Sequence, residues 1–280
     1  MRKIKVNMRD PHTATPGILP LMHFMLRNLR PLWLREKVYF HTRAGEHWPD
    51  RLQAAQLALA PVTLRHFSKS DSMHQQIAWL GFYELALSRR MARLAAGGGV
   101  LVDVGANIGY FSCLWAATRA DNRVYAFEPS PAVFRMLDAN VVEAGLRPKV
   151  KVFELALGKG KAIVEFDPGP GEQTGWGGIA NARSASTIPV DAEKLDDVMP
   201  PDVVIDVLKV DTEGTDSWVL AGARQLLRSH CVRHVFFEQN LPRMTALGIQ
   251  HDAPFRTLEA YGYKVDAVGG DDGMFHARPA

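Results

Sequence analysis

Two short stretches place residues that can grip a small polar ligand at neighbouring points. The first reads Asp103-Val104-Gly105-Ala106-Asn107-Ile108-Gly109-Tyr110-Phe111. Gly105 and Gly109 lack a Cβ, so the backbone there can turn tightly and come close to a ligand. Asp103 offers a carboxylate that can accept from a ligand ammonium. The second reads Phe127-Glu128-Pro129, and Glu128 lies 23 residues after Gly105. A carboxylate at that offset can hold both hydroxyls of a ribose. A dinucleotide would require G-x-G-x-x-G, with a pyrophosphate on the helix N-terminus. This loop lacks the middle glycine, and Asp103 would repel a phosphate. The residues suit a nucleoside with a cationic or zwitterionic tail, a description that S-adenosylmethionine fits. The plainer alternative is a tight βα turn with a solvated Glu128. It leaves unexplained why an acid, two glycines and a second acid all fall at strand ends.

The surrounding pattern predicts the elements that hold these residues. Val100–Val104 is a short β-branched run bounded by glycine, which reads as a buried strand. Residues 110–119 follow as a helix, 123–127 as a strand, 131–144 as a helix and 149–155 as a strand. Further on, 203–210 is a strand, 217–228 a helix, 232–238 a strand and 254–261 a short helix. Residues 263–268 and 274–277 form a closing hairpin. Strand–helix alternation with short connections implies a mostly parallel sheet covered on both faces, with ligands at the carboxyl ends of its strands. Ahead of it, 51–59 and 73–96 carry apolar residues at helical spacing, the second through Ile77, Leu80, Tyr83, Leu87, Met91 and Leu94. Gly97-Gly98-Gly99 ends that run. Between Asp167 and Asp197, Pro168-Gly169-Pro170-Gly171 and Gly175-Trp176-Gly177-Gly178 disfavour regular structure, which predicts a long lid or binding loop.

The 280 residues are 47% apolar and 22% charged, which excludes a disordered, collagen-like or coiled-coil chain. The net charge of +3 gives no global case for nucleic acid. The charge is uneven, because residues 1–78 hold 12 Lys/Arg against 5 Asp/Glu. That divides the chain into a basic helical extension or cap, 1–78, and a body, 79–280, the cap contacting substrate or a second copy. The 2 cysteines make no disulfide framework. Met1–Arg9 is basic, but Asp10, Pro11 and His12 stand where a secretory apolar run would begin, so the cytoplasm is the expected compartment. Ile18–Leu34 is apolar but interrupted by Pro20, His23, Arg27, Arg30 and Pro31, so it cannot cross a bilayer at the ~20 apolar residues needed. It suits packing on its own domain or in a homodimer, with an amphipathic membrane contact as the lesser alternative.

The motif D-V-G-A-N-I-G-Y-F-S followed by F-E-P-S-P resembles the FkbM family of S-adenosylmethionine-dependent methyltransferases. Gly81-Phe82-Tyr83-Glu84, Leu208-Lys209-Val210-Asp211-Thr212-Glu213-Gly214 and Phe236-Phe237-Glu238 resemble further stretches of that family. The likeness covers about residues 79–280 and departs at Thr215-Asp216. It implies a Rossmann-like class I methyltransferase fold: α/β, a seven-stranded, mostly parallel sheet with helices on both faces and an antiparallel last strand. It also implies methyl transfer to a hydroxyl of a small natural product or sugar, leaving S-adenosylhomocysteine. By the same likeness Asp103, Gly105, Asn107 and Gly109 surround the methionine part, with Ala106, Tyr110 and Phe111 from the same motif. Glu128, followed by Pro129 and Ser130, takes the ribose. Glu84 helps at the amino-acid end, Glu154 and Leu155 lie near the adenine, and Asp211 faces the sulfonium or the acceptor.

Methyl transfer is an in-line displacement, so placement of the acceptor opposite sulfur dominates. A hydroxyl acceptor also needs a proton acceptor. Asp211, Glu213 and Glu238 are the candidates, since each follows a buried strand at the active edge. Structural duties compete: Glu213 can cap the next helix and Glu238 can hold a loop. His12, His23, His41, His47, His66 and His74 are dispersed without ligand spacing. No metal signature is present, although magnesium held by Asp211 and Glu238 stays open. Trp176 suits a lid over an apolar or sugar-like acceptor, or an anchor for its loop. Two other classes stay open: a fold of this type acting on a macromolecular or lipid-linked glycan acceptor at a membrane surface, and a non-catalytic nucleoside-binding module.

Overall fold

The computed structural model describes residues 18–46, 53–171, 173–270 and 273–280. His12, His47, the start of the segment 51–59 and the tip of the closing hairpin lie outside them. In chain order the helices and strands begin with α1 (Ile18–Asn28), α2 (Leu32–Thr42), β1 (Ala54–Gln56), β2 (Thr63–Arg65), α3 (Ser72–Leu80) and α4 (Leu85–Gly97). The body continues with β3 (Val100–Val104), α5 (Tyr110–Thr118), β4 (Arg123–Phe127), α6 (Pro131–Glu143) and β5 (Val150–Phe153). Next come β6 (Ala156–Leu157), β7 (Ala162–Asp167), β8 (Gly178–Ile179), β9 (Ile188–Glu193) and α7 (Leu195–Val198). Last are β10 (Ile205–Val210), α8 (Asp216–Gly222), α9 (Arg224–Arg228), β11 (Val232–Glu238), α10 (Leu241–Ala246), α11 (Ala253–Ala260), β12 (Tyr263–Ala267) and β13 (Met274–Pro279).

The main sheet has seven strands in the order β12-β13-β11-β10-β3-β4-β5. β5, β4, β3, β10 and β11 run parallel, and β13 runs antiparallel between β11 and β12. The strand order reverses between β3 and β10, so the crevice at their carboxyl ends is the place where an open α/β sheet takes its ligand. The central strands are β-branched runs buried on both faces. One face packs under α4, α5 and α6 through Leu101, Leu114, Trp115 and Leu137, and this cluster continues to Leu26, Leu32, Tyr39 and Trp79 of the N-terminal helices. The other face packs under α7, α8 and α11 through Val210, Val219, Leu220 and Leu258.

Four local expectations change. Residues 54–56 form β1 rather than a helix, pairing with β2, because Ala55, Leu57 and Leu64 turn inward while Pro61 forces a return. The run 73–96 is two helices. Gly81 ends α3 in the left-handed conformation at φ +77°, its N–H donating to Ile77 O, and Glu84 opens α4. Leu80 and Tyr83 keep a three-residue step across the break, so spacing alone hides it. The 217–228 helix is broken at Ala223. The segment 167–197 is only partly a loop: β8 and β9 join β6 and β7 in a second sheet of order β6-β9-β7-β8 around Phe166, Val190 and Ala192.

This second sheet is docked by backbone contact at Gly222, where an added Cβ would stand 2.0 Å from the Gly158 carbonyl oxygen. Gly222→Ala is therefore expected to lower stability by about 1–3 kcal/mol despite its better helix propensity. Gly97→Ala, where nothing lies within 4 Å, is the control and should cost nothing. Denaturant unfolding of the two variants makes the comparison.

Candidate active site

The ends of β3, β4, β10 and β11 enclose a cleft of about 970 Å³, its open mouth included. Its floor depends on two turns that touch. Gly105 has φ +74°, and a Cβ there would lie 1.8 Å from the Asp211 carbonyl oxygen. Asp211 N donates to Val104 O at 3.0 Å, while Gly105 N and Ala106 N both donate to Phe127 O at 3.0 Å. Only glycine can bring the β3 turn this close to the β10 turn.

Glu128 ties the third turn in. Its carboxylate accepts from Asn107 N at 3.0 Å and from Ser130 N at 2.9 Å, is 6% exposed and still lines the cleft. Burial raises it to about 7, against the opposing pull of those two N–H groups. Each oxygen retains a lone pair for a ligand hydroxyl.

Beneath the cleft sits Lys209, 2% exposed, with Nζ 3.0 Å from Asp211 and 3.7 Å from Asp103. Burial alone would lower this ammonium, but the Asp211 and Asp103 charges outweigh it and hold it above the ordinary lysine range. Asp103 is fully buried and accepts from Ser112 Oγ at 2.6 Å. Burial raises its pKa against the pull of Lys209. Asp103, expected at a ligand ammonium, is not among the residues that line the cleft; its side chain lies in the floor beside Lys209.

The far wall is acidic. Asp211, Glu213 and Glu238 bring carboxylate oxygens within 4.8 Å of one another, close enough to share a proton or a cation. Burial, then the Asp211 charge, raises Glu213 to about 7. Glu238 is pushed to about 10 by burial and by Asp211, Glu213, Asp216 and Glu84. Asp216, at the departure Thr215-Asp216, is 1% exposed and braces this wall. It accepts from Thr212 Oγ1 at 2.8 Å and from Glu238 N at 3.0 Å, and burial raises it to about 7. Tyr83 faces Glu84, Asp211 and Glu238, and burial pushes its hydroxyl well above the usual phenol range.

The glycine-rich segment roofs the cleft with Thr174, Gly175, Gly177 and Gly178. It is fastened at Thr174, whose N and Oγ1 meet Asp71 Oδ2 at 2.6 and 2.8 Å, with Asn107 Oδ1 3.0 Å from the same hydroxyl. Trp176 itself is 58% exposed and contributes its backbone carbonyl to Arg243.

Of the residues singled out in the sequence, Glu84, Gly105, Ala106, Asn107, Tyr110, Phe111, Glu128, Pro129, Leu155, Asp211, Glu213 and Glu238 line the cleft. Asp103, Gly109, Ser130 and Glu154 do not. Gly109 turns toward Leu137, and Glu154 faces solvent. None of the described histidines lines it. Lys209, Tyr83, Thr174 and Asp216 were not assigned roles from the sequence. A lysine between Leu208 and Val210 inside a buried strand was the one available signal.

A model of the methyltransferase FkbM domain matches residues 103–265. The chain belongs to this family. The FkbM match spans the glycine turn, Glu128 and the acidic wall. Part of the chain, 88 residues or 31%, is 43% identical to the AMB antimetabolite synthetase AmbE of Pseudomonas aeruginosa, of which it spans 4%. A methyltransferase FkbM structure from Methylobacillus flagellatus is similar over 94% of this chain and 58% of that one, at 14% identity and a TM-score of 0.46. The O-methyltransferase TomG of Streptomyces achromogenes, solved with SAM, is similar over 70% of this chain and 78% of its own, at 15% identity and a TM-score of 0.39.

The buried acids set the pH dependence of stability. A carboxyl held at about 10 in the fold and at ~4.3 when unfolded keeps a proton in the native state that the unfolded chain has lost. Stability must then fall as pH rises, and it reaches its lowest value above the folded pKa. Between neutral pH and about 10 the wild type is expected to lose stability that Glu238→Gln does not lose. Parallel denaturant curves for both proteins test this, and identical slopes against pH would rule it out.

Proposed function

We propose that this chain is an S-adenosylmethionine-dependent O-methyltransferase acting on a hydroxyl of a small natural product or sugar. The observation that carries the reading is Glu128, a carboxylate turned into the cleft at the end of β4 opposite the close glycine turn at Gly105. The residues fit the cofactor. Glu128 takes the ribose hydroxyls, and the narrow Gly105–Asn107 turn leaves room for the methionine chain. Glu84 receives its ammonium, and Leu155, beside the stacked Phe127 and Phe153 rings, provides an apolar seat for the adenine. When bound, the cofactor supplies an electrophilic methyl on a positively charged sulfur.

The chain's own residues place the acceptor and take its proton. Lys209 holds the Asp211 side chain in place, Nζ 3.0 Å from its Oδ2, beside the reacting centre. Glu213, at about 7, lies in the range where a general base works best near neutral pH. Glu238, at about 10, holds a proton at neutral pH and donates a hydrogen bond to the acceptor. The proposed arrangement makes residues 1–78 a cap and the enzyme cytoplasmic, with a homodimer compatible. Among the described residues no helix is long and apolar enough to cross a membrane. The convergence of Asp211, Glu213 and Glu238 favours a second reading in which Asp211 and Glu238 would hold a magnesium ion, which would supply Lewis acidity to the acceptor oxygen.

Calorimetry with S-adenosylmethionine and S-adenosylhomocysteine is the first test. We expect micromolar binding that weakens by ~1–3 kcal/mol in Glu128→Ala; no binding of either nucleoside refutes the cofactor assignment. With an acceptor in hand, Glu213→Gln should lower kcat about 10²-fold or more while cofactor affinity holds. Chelation by EDTA should leave turnover intact, whereas its abolition would select the magnesium reading.

A further inference from the structure

The N-terminal helices carry a surface that the cleft does not use. Ten large apolar side chains are well exposed among the described residues, and five of them lie on α1 and α2: Leu21, Phe24, Met25, Trp33 and Phe40. Leu21, Phe24, Met25 and Asn28 share one face of α1 at i, i+3, i+4 and i+7, and Trp33, Lys37 and Phe40 share one face of α2. The concentration of exposed apolar surface on so short a segment marks an interaction site.

A basic hollow adjoins this face. Arg27, Arg30 and Arg35 line it together with Asn28, which belongs to the exposed stripe. Arg35 is 2% exposed. Its terminal nitrogens donate to the carbonyls of Leu80, Arg27 and Leu29, and its Nε has no partner. Arg27 donates to Gln56 O, and its other terminal nitrogen is buried without a partner. Among the described residues no carboxylate pairs with any of the three. Burial, with Arg27 and Arg30 close by, lowers Arg35 to about 10. From Ile18 to Thr42 the sequence holds four Lys/Arg and one acid, Glu36.

We propose that α1 and α2 form a docking face for an anionic phospholipid surface. Leu21, Phe24, Met25, Trp33 and Phe40 enter the interfacial layer, and Arg30 at the rim of the hollow, with Lys37, meets the headgroup phosphates. Guanidinium groups match phosphate oxygens in a bidentate geometry, and an amphipathic tryptophan is suited to the headgroup level. Cations beside an apolar stripe are the composition of a helix that lies in the membrane plane. Arg30 and Lys37 are exposed beside the apolar stripe and pair with no carboxylate among the described residues, and this charge complementarity selects an anionic lipid surface. The hollow reaches toward the cleft from behind. Arg27 packs against Gly81, where an added Cβ would lie 1.9 Å from its guanidinium, and Tyr83 and Glu84 enter the cleft two and three residues later. The inference stands whether or not the methyl acceptor is a lipid.

Co-sedimentation of the full chain with vesicles is the test, comparing phosphatidylcholine alone with phosphatidylcholine mixed with phosphatidylglycerol. The wild type should pellet with the anionic vesicles and be released by salt. Phe24→Ser with Trp33→Ser, and separately Arg30→Glu with Lys37→Glu, should each reduce binding about tenfold or more. All four side chains are exposed, and unchanged thermal melting will show that the variants fold. Equal recovery with and without anionic lipid overturns the proposal, as does wild-type binding by both variants. A wild-type dimer that Phe24→Ser dissociates, with no vesicle binding, assigns the face to a second copy instead.

Discussion

A single buried ammonium allows so many carboxylates to meet at one sheet edge. Lys209 stands between Asp103 and Asp211, out of water, with its ammonium over the Phe111 ring, 5.1 Å from the ring centroid. An unpaired lysine at that depth would be strongly destabilising, by about 3–5 kcal/mol, and so would the buried Asp103 without it. Together they fix the ends of β3 and β10 in register and give the floor a charge pattern the ligand does not have to supply. Asp103 belongs to this foundation rather than to the ligand surface.

The remainder of the cleft follows from that floor. With β3 and β10 locked side by side, the glycine turn presses on the Asp211 carbonyl, and Glu128 stitches the β4 turn to the same loop through two N–H groups. The acidic wall is then forced together. Asp216 holds the Glu238 backbone from below, so the carboxylates of Asp211, Glu213 and Glu238 are kept close, and burial together with this crowding favours the protonated forms of Glu213 and Glu238. The raised proton affinity of this wall is thereby a property of the architecture rather than of any one residue.

The sequence was informative where local chemistry decides the outcome. β3, β4 and β11 are β-branched or aromatic runs closed by glycine, proline or acid, and their bounds were readable to the residue. β6, β8 and β9 were not, because two-residue strands and a Pro189-containing strand owe their existence to partners far away in the chain. The break at Gly81 was hidden by a spacing that both helices happen to continue. Within the cleft, the glycines and Glu128 were legible from motif spacing. Whether Asp103 faced the ligand or the core depended on Lys209, whose place inside an apolar strand is visible in the sequence but whose pairing with a residue 106 positions earlier is not.

The Thr174 fastening has a kinetic meaning. The roof is joined to the N-cap of α3 and to the glycine loop through the Thr174 side chain and backbone N–H, beside the Gln173 contacts to Ser70 and Ser72 and the Trp176 carbonyl on Arg243. Anything large that enters or leaves through the roof must first exchange these bonds for water. Residence time in the cleft is then set in part at Asp71, a residue far in sequence from the glycine turn and the acidic wall, and tighter binding and faster turnover become separately adjustable quantities.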